Sequence, residues 1–207
     1  MTIDFKEIEK ANSSRGLQDS FELFTRDFLE AMGYQIVENP GRGPDGGIDI
    51  KIKETIKGIS NYESSIYWLV SCKHYAHSGK SINSDIEQDI ADRVATNQCD
   101  GFIGVYSTIP AKSLINKLNG LSNSLQYSIF DPARIEREII GYSSMEVIFK
   151  RYFPESYVKW KNLENYKEPI KLFDFYCKKR FQIDSVSNEI DYLSSLFGNV
   201  ENIYKAI

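Results

Sequence analysis

The spacing of apolar residues along the chain predicts alternating helices and strands. One helix face is indicated by apolar side chains three and four residues apart, at Phe21, Phe24, Phe28 and Met32. A strand with one buried face is indicated by alternation of apolar and polar residues, with apolar positions at Ile48, Ile50 and Ile52. Asp49 is therefore expected on the opposite face of this strand.

Further segments follow the same two patterns. Strands are predicted at residues 34–37, 66–72, 101–106 and 127–130, and helices at residues 82–98, 111–121 and 188–207. This order is typical of an α/β fold, in which helices flank a sheet. Along the strand that ends near Lys73, alternation puts Ser71 and Lys73 on one face and Cys72 on the other.

Residues suited to helix ends mark several boundaries. Capping boxes are indicated at Asp19 with Glu22 and at Ser143 with Glu146, and Gly33 suits a left-handed helix end. A further helix start is predicted at Asp131-Pro132, because proline at the first helical position loses no needed N–H.

Composition indicates a globular protein of one medium-sized domain with an appendage. The chain has 207 residues, 42% of them hydrophobic, and no apolar run approaches the roughly 18 residues of a membrane span. Three cysteines cannot all pair, and the first residues lack the basic and apolar regions of a signal peptide. We therefore expect a cytoplasmic protein with no membrane partner.

Charge is distributed unevenly along the chain. Lys and Arg number 25 against 29 Asp and Glu, and the resulting net charge of −4 argues by itself against a nucleic-acid partner. Residues 150–180, however, carry nine basic, four acidic and eight aromatic side chains. Such a segment suits phosphate neutralisation with base stacking, and equally suits an amphipathic tail whose rings pack on the core.

The residues with catalytic potential lie on two predicted strands. Asp49 and Lys73 face the same way on neighbouring strands, so a hard oxygen ligand and a cation would share one cleft. Phosphodiester hydrolysis uses such a pair, because the carboxylate can hold Mg²⁺ while the ammonium orients water and offsets developing charge. The Cys72 thiol is expected to be a core group rather than a nucleophile.

These residues also carry a family resemblance. The segments Asp45-Gly46-Gly47-Ile48-Asp49 and Val70-Ser71-Cys72-Lys73-His74 resemble the catalytic core of the PD-(D/E)XK nuclease superfamily, most closely the Mrr-like restriction endonucleases. The resemblance covers about residues 17–130 and includes Phe21-Glu22 and Gly33-Tyr34. It implies a restriction-endonuclease-like core with a central mixed β-sheet flanked by helices.

The resemblance also implies roles for individual residues. Asp49 and the Cys72 carbonyl would be metal ligands, Lys73 would be the catalytic lysine, and Glu22 would be a site residue on the first helix. The implied cofactor is Mg²⁺, with Mn²⁺ as a substitute, and the implied partner is DNA.

Position 71 departs from the family pattern, which has Glu, Asp or Gln where this chain has Ser71. A hydroxyl is a weaker Mg²⁺ ligand than a carboxylate, so either metal affinity is low or another carboxylate replaces it. Ser71 is itself a candidate catalytic-site residue, as an outer ligand of the metal or as an anchor for water. Glu22 is one replacement, and others share one face of the predicted helix over residues 82–98, at Asp85, Asp89 and Asp92. The non-catalytic alternatives are a capping role for Glu22, a solvent-exposed helix face for the aspartates, and a serine at position 71 that has no functional role.

The sequence predicts an N-terminal lead over residues 1–16, a nuclease core over residues 17–141 and a helical extension over residues 142–207. The predicted function is a metal-dependent endodeoxyribonuclease in defence against foreign DNA, with a homodimer or a partner subunit supplying specificity. The alternatives are a DNA-binding module that has lost cleavage, and an RNA-cleaving effector. No nucleotide cofactor is expected, because Ser78-Gly79-Lys80-Ser81 lacks the earlier glycine of a phosphate-binding loop.

Overall fold

The computed structural model of the protein describes residues 2–10, 19–40, 49–58 and 62–163. The predicted helix over residues 188–207, the glycine-rich loop after Pro40 and most of the segment over residues 150–180 lie outside the described residues. Contacts between Cα atoms divide the chain into a unit of residues 1–159 and a unit of residues 160–207. The segment boundaries suggested by the sequence stay predictions.

The helices and strands follow the α/β order expected from the apolar pattern. In chain order they are α1 (Ser20–Ala31), β1 (Gln35–Glu38), β2 (Ile50–Lys57), β3 (Glu63–Lys73), α2 (Ile90–Thr96), β4 (Gly101–Tyr106), α3 (Lys112–Leu121), β5 (Gln126–Phe130), α4 (Pro132–Gly141) and α5 (Glu146–Tyr152). Short 3-10 helices lie at Phe5–Glu7 and Ser143–Met145, and residues 154–163 are helical.

The strands form one mixed sheet in the order β1-β2-β3-β4-β5. The pairs β1–β2 and β2–β3 are antiparallel, whereas β3–β4 and β4–β5 are parallel. The prediction of a central mixed sheet flanked by helices is confirmed. Strand β3 lies at its centre, so the residues at its C-terminal end have a neighbouring strand on each side.

Each face of the sheet is covered by its own set of helices. On one face, Leu69, Phe102 and Tyr106 pack against α2 and α3, as one buried hydrophobic cluster. On the other, Phe28 of α1 meets Phe130 of β5 edge to face, with ring centroids 5.6 Å apart. Because side chains alternate along a strand, Ser71 and Lys73 belong to the α2 face, like Leu69, and Cys72 belongs to the α1 face.

The N-terminal residues are tied to helices far along the chain. The Glu136 carboxylate on α4 accepts hydrogen bonds from the backbone N–H groups of Thr2 and Ile3 at 2.6 and 2.8 Å. In turn, the Glu7 carboxylate accepts from the backbone N–H groups of Glu155 and Ser156 at 2.7 and 3.0 Å. These two N–H groups lie in the first turn of the helix over residues 154–163, where no intrahelical acceptor is available.

Most predicted helix ends are confirmed, and one is wrong. The Asp19 side chain caps α1 through the Phe21 N–H, the Asp131 side chain caps α4, and Gly33 has φ +96° directly after Met32, the last cap residue of α1. The capping box predicted at Ser143 with Glu146 does not form. A 3-10 turn over Ser143–Met145 leads directly into α5, and neither helix start has a side-chain cap.

The predicted helix over residues 82–98 is also wrong in its first half, since α2 begins only at Ile90. Ile82 instead forms a β-bridge to Pro110. The Asn83 side chain accepts from the backbone N–H groups of Asp85 and Ile86, which favours a turn, and Asp89 has φ +49°, which a continuous helix excludes. None of the helices in the described ranges has the length and apolar character needed to cross a bilayer.

Candidate active site

The structure brings Asp49 and Lys73 together where β2 begins and β3 ends. The Lys73 Nζ lies 3.6 Å from Asp49 Oδ2. Their side chains are 25% and 18% exposed, so solvent reaches both. The sheet dictates this meeting, because Ile50 pairs with Val70 in antiparallel register and the preceding Asp49 therefore stands beside Ser71.

The Asp49 carboxylate is also fixed by the backbone of β3. Its Oδ2 accepts from the Cys72 N–H at 2.5 Å, while the Asp49 N–H donates to the Val70 carbonyl at 3.3 Å. Charge-assisted bonds of this kind hold a carboxylate in one orientation. Asp49 therefore presents a positioned oxygen donor next to an ammonium group, which is suited to binding a cation and a phosphate together.

Cys72 is a buried thiol at this site, and its side chain is not suited to nucleophilic chemistry. Burial raises the pKa of Cys72 well above its ordinary value, and the charges of Asp49 and Glu22 raise it further. A thiol held neutral in this way is a poor nucleophile. The carboxylates of Asp49 and Glu22 are thus both close enough to Cys72 to raise the pKa of its thiol. The predicted metal-binding role of its carbonyl stays a prediction.

Glu22 lies in the first turn of α1 and is half-buried. The cap of this helix comes from Asp19, whose side chain accepts from the Phe21 N–H at 2.7 Å. Since α1 packs on the Cys72 face of the sheet, Glu22 approaches the site from the side opposite to Lys73. Its role as a metal ligand stays a prediction.

Ser71 is fully buried, and its Oγ has no hydrogen-bond partner among the described residues. A buried hydroxyl without a partner costs free energy, about 1–3 kcal/mol in protein mutational data. Ser71 stands in register with Gly104 of β4, and Lys73 stands in register with Tyr106. The proposed catalytic role of Ser71 stays a prediction, and its burial argues for contact with a neighbouring side chain rather than with solvent.

Asp85, Asp89 and Asp92, expected on one face of a single helix, do not lie on a common helix. Asp85 lies in a turn, Asp89 is the left-handed residue before α2, and Asp92 is in the first turn of α2. All three are exposed. Ligation by Asp85 or Asp89 stays a prediction, but the helical spacing that favoured it is absent.

Sequence reasoning missed Glu87, which turns inward from the same segment. Its side chain is 0% exposed, and Oε2 lies 3.1 Å from Arg93 Nη1. Its backbone carbonyl accepts from Lys117 Nζ at 2.8 Å, which ties the turn to α3. The signal was present in the sequence, because Glu87 lies three residues before Ile90 and seven before Val94, on the apolar side of the predicted helix over residues 82–98.

His74, next to Lys73, is engaged with the N-terminal segment. The Nε2 atoms of His74 and His77 both lie within hydrogen-bond distance of the Ile8 carbonyl, at 2.9 and 2.8 Å. The His74 ring stacks on Phe21 with centroids 4.9 Å apart. Burial lowers the pKa of His74, which favours the neutral ring. This histidine pair therefore anchors residues 2–10 to the end of β3.

The oxygen donors at the site are of the kind that binds a divalent metal, but they are too few to complete its coordination. Asp49 and the Cys72 carbonyl would be the hard oxygen donors that Mg²⁺ prefers. Within the described ranges, no three His, Cys, Asp or Glu side chains are grouped closely enough to hold a metal ion.

Comparison with known proteins is consistent with this arrangement. Residues 17–109 match the family model Mrr_cat, which is described as a restriction endonuclease. The matched range contains Asp49, Lys73 and Glu87. A search of curated proteins found no match.

Two solved structures resemble the chain. The DNA modification-dependent restriction endonuclease AspBHI is 12% identical with a TM-score of 0.50, over 75% of this chain and 37% of that one. The MspJI restriction endonuclease in complex with a 27-mer oligonucleotide is 19% identical with a TM-score of 0.41, over 63% of this chain and 31% of that one. The chain thus spans about a third of the length of either protein. The likeness to AspBHI shows a shared fold.

Proposed function

We propose that this chain, whose residues 17–109 match the restriction endonuclease family model Mrr_cat, is a metal-dependent endodeoxyribonuclease. The observation that carries the proposal is the pair of Asp49 and Lys73, 3.6 Å apart on adjacent strands inside the matched range. Its substrate is the phosphodiester bond of DNA, and its role is to restrict foreign DNA. Specificity comes from a homodimer or a partner subunit.

Each group at the site has a distinct task in this proposal. Asp49 and the Cys72 carbonyl hold Mg²⁺ or Mn²⁺, with Glu22 or an aspartate near α2 as a further ligand. The bound metal supplies a Lewis acid that polarises the phosphoryl group. Lys73 positions the attacking water and offsets the negative charge that develops on the phosphoryl oxygens. The Cys72 N–H keeps the Asp49 carboxylate in place.

The test is cleavage of plasmid and oligonucleotide DNA with Mg²⁺ or Mn²⁺, with methylated and unmethylated substrates compared. Asp49→Ala and Lys73→Ala should each reduce the cleavage rate by about a hundredfold or more, as expected for loss of one electrostatic group. Matched controls come from the exposed pair of Lys57 and Glu63, 3.9 Å apart near the other ends of the same two strands. Lys57→Ala and Glu63→Ala should leave the rate unchanged.

The results separate the competing hypotheses. A wild-type protein that binds duplex DNA yet never cuts it with either metal would support a binding module in place of an enzyme. Cleavage of RNA without cleavage of DNA would support the RNA effector. If Asp49→Ala and Lys73→Ala cut as fast as wild type, the assigned site is wrong.

A further inference from the structure

One buried serine contacts the backbone of Lys73 and has no task in the proposed mechanism. Ser107 follows Tyr106, the last residue of β4, and is 4% exposed. Because Lys73 ends β3 in parallel register with Tyr106, Ser107 stands next to the residues that follow Lys73. Its backbone N–H donates to the Lys73 carbonyl at 3.1 Å, which joins the ends of the two strands.

The hydroxyl of Ser107 holds the turn by which the chain leaves β3. Its Oγ accepts from the backbone N–H groups of Tyr75 at 2.8 Å and of Ala76 at 3.0 Å. The same hydroxyl lies 3.5 Å from the Lys73 carbonyl, to which it donates. A serine hydroxyl has two acceptor lone pairs and one proton, so these three contacts use its whole capacity. Without it, two successive N–H groups would lose their acceptor.

A fixed backbone at Lys73 matters because its side chain is long. The Lys73 Nζ lies 3.6 Å from Asp49 Oδ2, at the end of a flexible four-carbon stem. Pairing with β4 fixes the backbone before this stem, and Ser107 fixes the Lys73 carbonyl and the N–H groups that come after it. A shift or rotation at the Lys73 Cα moves Nζ with it, so the position of the ammonium depends on the Ser107 hydroxyl.

We infer that Ser107 is a positioning residue for Lys73, whose hydroxyl fixes the turn after β3 so that the Lys73 ammonium meets the Asp49 carboxylate and the attacking water. The inference rests on the proposed function, which gives Lys73 its role in catalysis. Ser107 acts through Lys73 and contacts neither DNA nor metal. Loss of its hydroxyl should therefore slow the chemical step and leave DNA binding, which depends on many phosphate contacts, nearly unchanged.

Steady-state cleavage of a DNA oligonucleotide with Mg²⁺ tests this role. Ser107→Ala should lower kcat by about tenfold or more with little change in KM, since misplacing a group by about 1 Å can cost about a hundredfold. Ser107→Thr keeps the hydroxyl and should cut at close to the wild-type rate. The inference is overturned if Ser107→Ala keeps the wild-type kcat, or if Ser107→Thr is as slow as Ser107→Ala.

Ser156 provides a matched control, because it is a second buried serine that accepts a backbone N–H from a distant segment. It is 1% exposed, lies in the helix over residues 154–163, and its Oγ accepts from the Asp4 N–H at 2.9 Å. Ser156→Ala should lower the unfolding temperature, as Ser107→Ala does, and keep the wild-type kcat. If both variants lose kcat in proportion to their loss of unfolding temperature, Ser107 has only a structural role and the inference fails.

A second readout follows the pair of Asp49 and Lys73 without DNA and without cleavage. In nitrogen NMR spectra of the full chain, the Lys73 Nζ signal senses the neighbouring carboxylate, and Asp49→Asn gives the position of the unpaired signal. Ser107→Ala should move the Lys73 signal toward that unpaired position, whereas Ser156→Ala should leave it in place. An unmoved Lys73 signal in Ser107→Ala contradicts the inference.

The two readouts separate this inference from the proposed function. If wild type cuts no DNA but Ser107→Ala moves the Lys73 signal, the nuclease proposal fails and the role of Ser107 in placing Lys73 stands. If wild type cuts DNA and Ser107→Ala changes neither kcat nor the signal, the nuclease proposal stands and the role of Ser107 fails.

A further variant covers the case in which Ser107→Ala does not fold. Ser107→Cys keeps a weak acceptor at the same position, so it should show the same changes in kcat and in the Lys73 signal to a smaller degree. Wild-type values of both in Ser107→Cys would overturn the inference.

Discussion

Substituting Gly104 by alanine tests how tightly the sheet is packed beside the site. The added Cβ would stand 2.3 Å from Cζ and Oη of Tyr106 and 2.8 Å from Cε2, which is too close for carbon and oxygen atoms. Every residue of β4 is buried, and Tyr106 is 0% exposed, so the ring cannot turn into solvent. The backbone has no positive φ at Gly104, so the cost comes from this contact.

The expected magnitude follows from overpacking of a dense core. Inserting a methyl group where none fits costs about 1–3 kcal/mol. Alanine also lowers the conformational entropy of the unfolded chain, which stabilises the folded state by roughly 0.4–1 kcal/mol. We therefore expect a net loss of about 1–2 kcal/mol, which for a unit of this size lowers the unfolding temperature by roughly 2–8 °C.

Urea unfolding followed by circular dichroism measures this loss. Gly120→Ala is the matched control, because Gly120 lies in α3 with no atom within 4 Å of an added Cβ. Alanine should raise stability there by about 0.5–1 kcal/mol. In a Tyr106→Leu background, which removes the atoms that collide, Gly104→Ala should cost much less. The reasoning is refuted if Gly104→Ala is as stable as wild type, or if its cost is the same in both backgrounds.

Two further predictions concern the N-terminal segment. Glu7→Gln should lower the free energy of unfolding by about 1–2 kcal/mol in urea, because the carboxylate caps the N–H groups of Glu155 and Ser156; an unchanged transition would show that this cap contributes nothing. Burial lowers the pKa of His74, so the unfolded chain binds the proton more readily and stability should be full above about pH 6.5 and fall below it. In His74→Gln, whose amide can still donate to the Ile8 carbonyl, the fall between about pH 7 and 5 should be smaller, and equal slopes would contradict this prediction.

Local patterns in the sequence are sufficient to predict much of the fold and the meeting of Asp49 with Lys73 at the candidate site. The helix that carries Phe21, Phe24 and Phe28 and the strand that carries Ile50 and Ile52 follow from periodicity, because each element buries one face. The meeting of Asp49 with Lys73 follows as well, since two strands with known faces put their polar residues on the same side. These features depend only on residues close in sequence and on the geometry of one strand pair.

The segment between β3 and β4 shows where local patterns mislead. Ile82, Ile86, Ile90 and Val94 recur every four residues, which is typical of one helix face, yet α2 holds only the last two. Ile82 pairs with Pro110 instead, a partner 28 residues away that the local sequence does not reveal. The carboxylates before Ile90 are therefore positioned by a turn and not by a continuous helix.

Periodicity in the sequence is enough to predict the α/β order of most elements, their buried faces and the placement of Asp49 and Lys73 on neighbouring strands. The pairing of buried Glu87 with Arg93, and the approach of two histidines to the Ile8 carbonyl, became known from the folded structure alone. Burial of a polar group depends on how elements that form separately pack against one another. Arg93 and Tyr106 surround Glu87 only after β4 has paired with β3 and the turn before α2 has packed on the sheet.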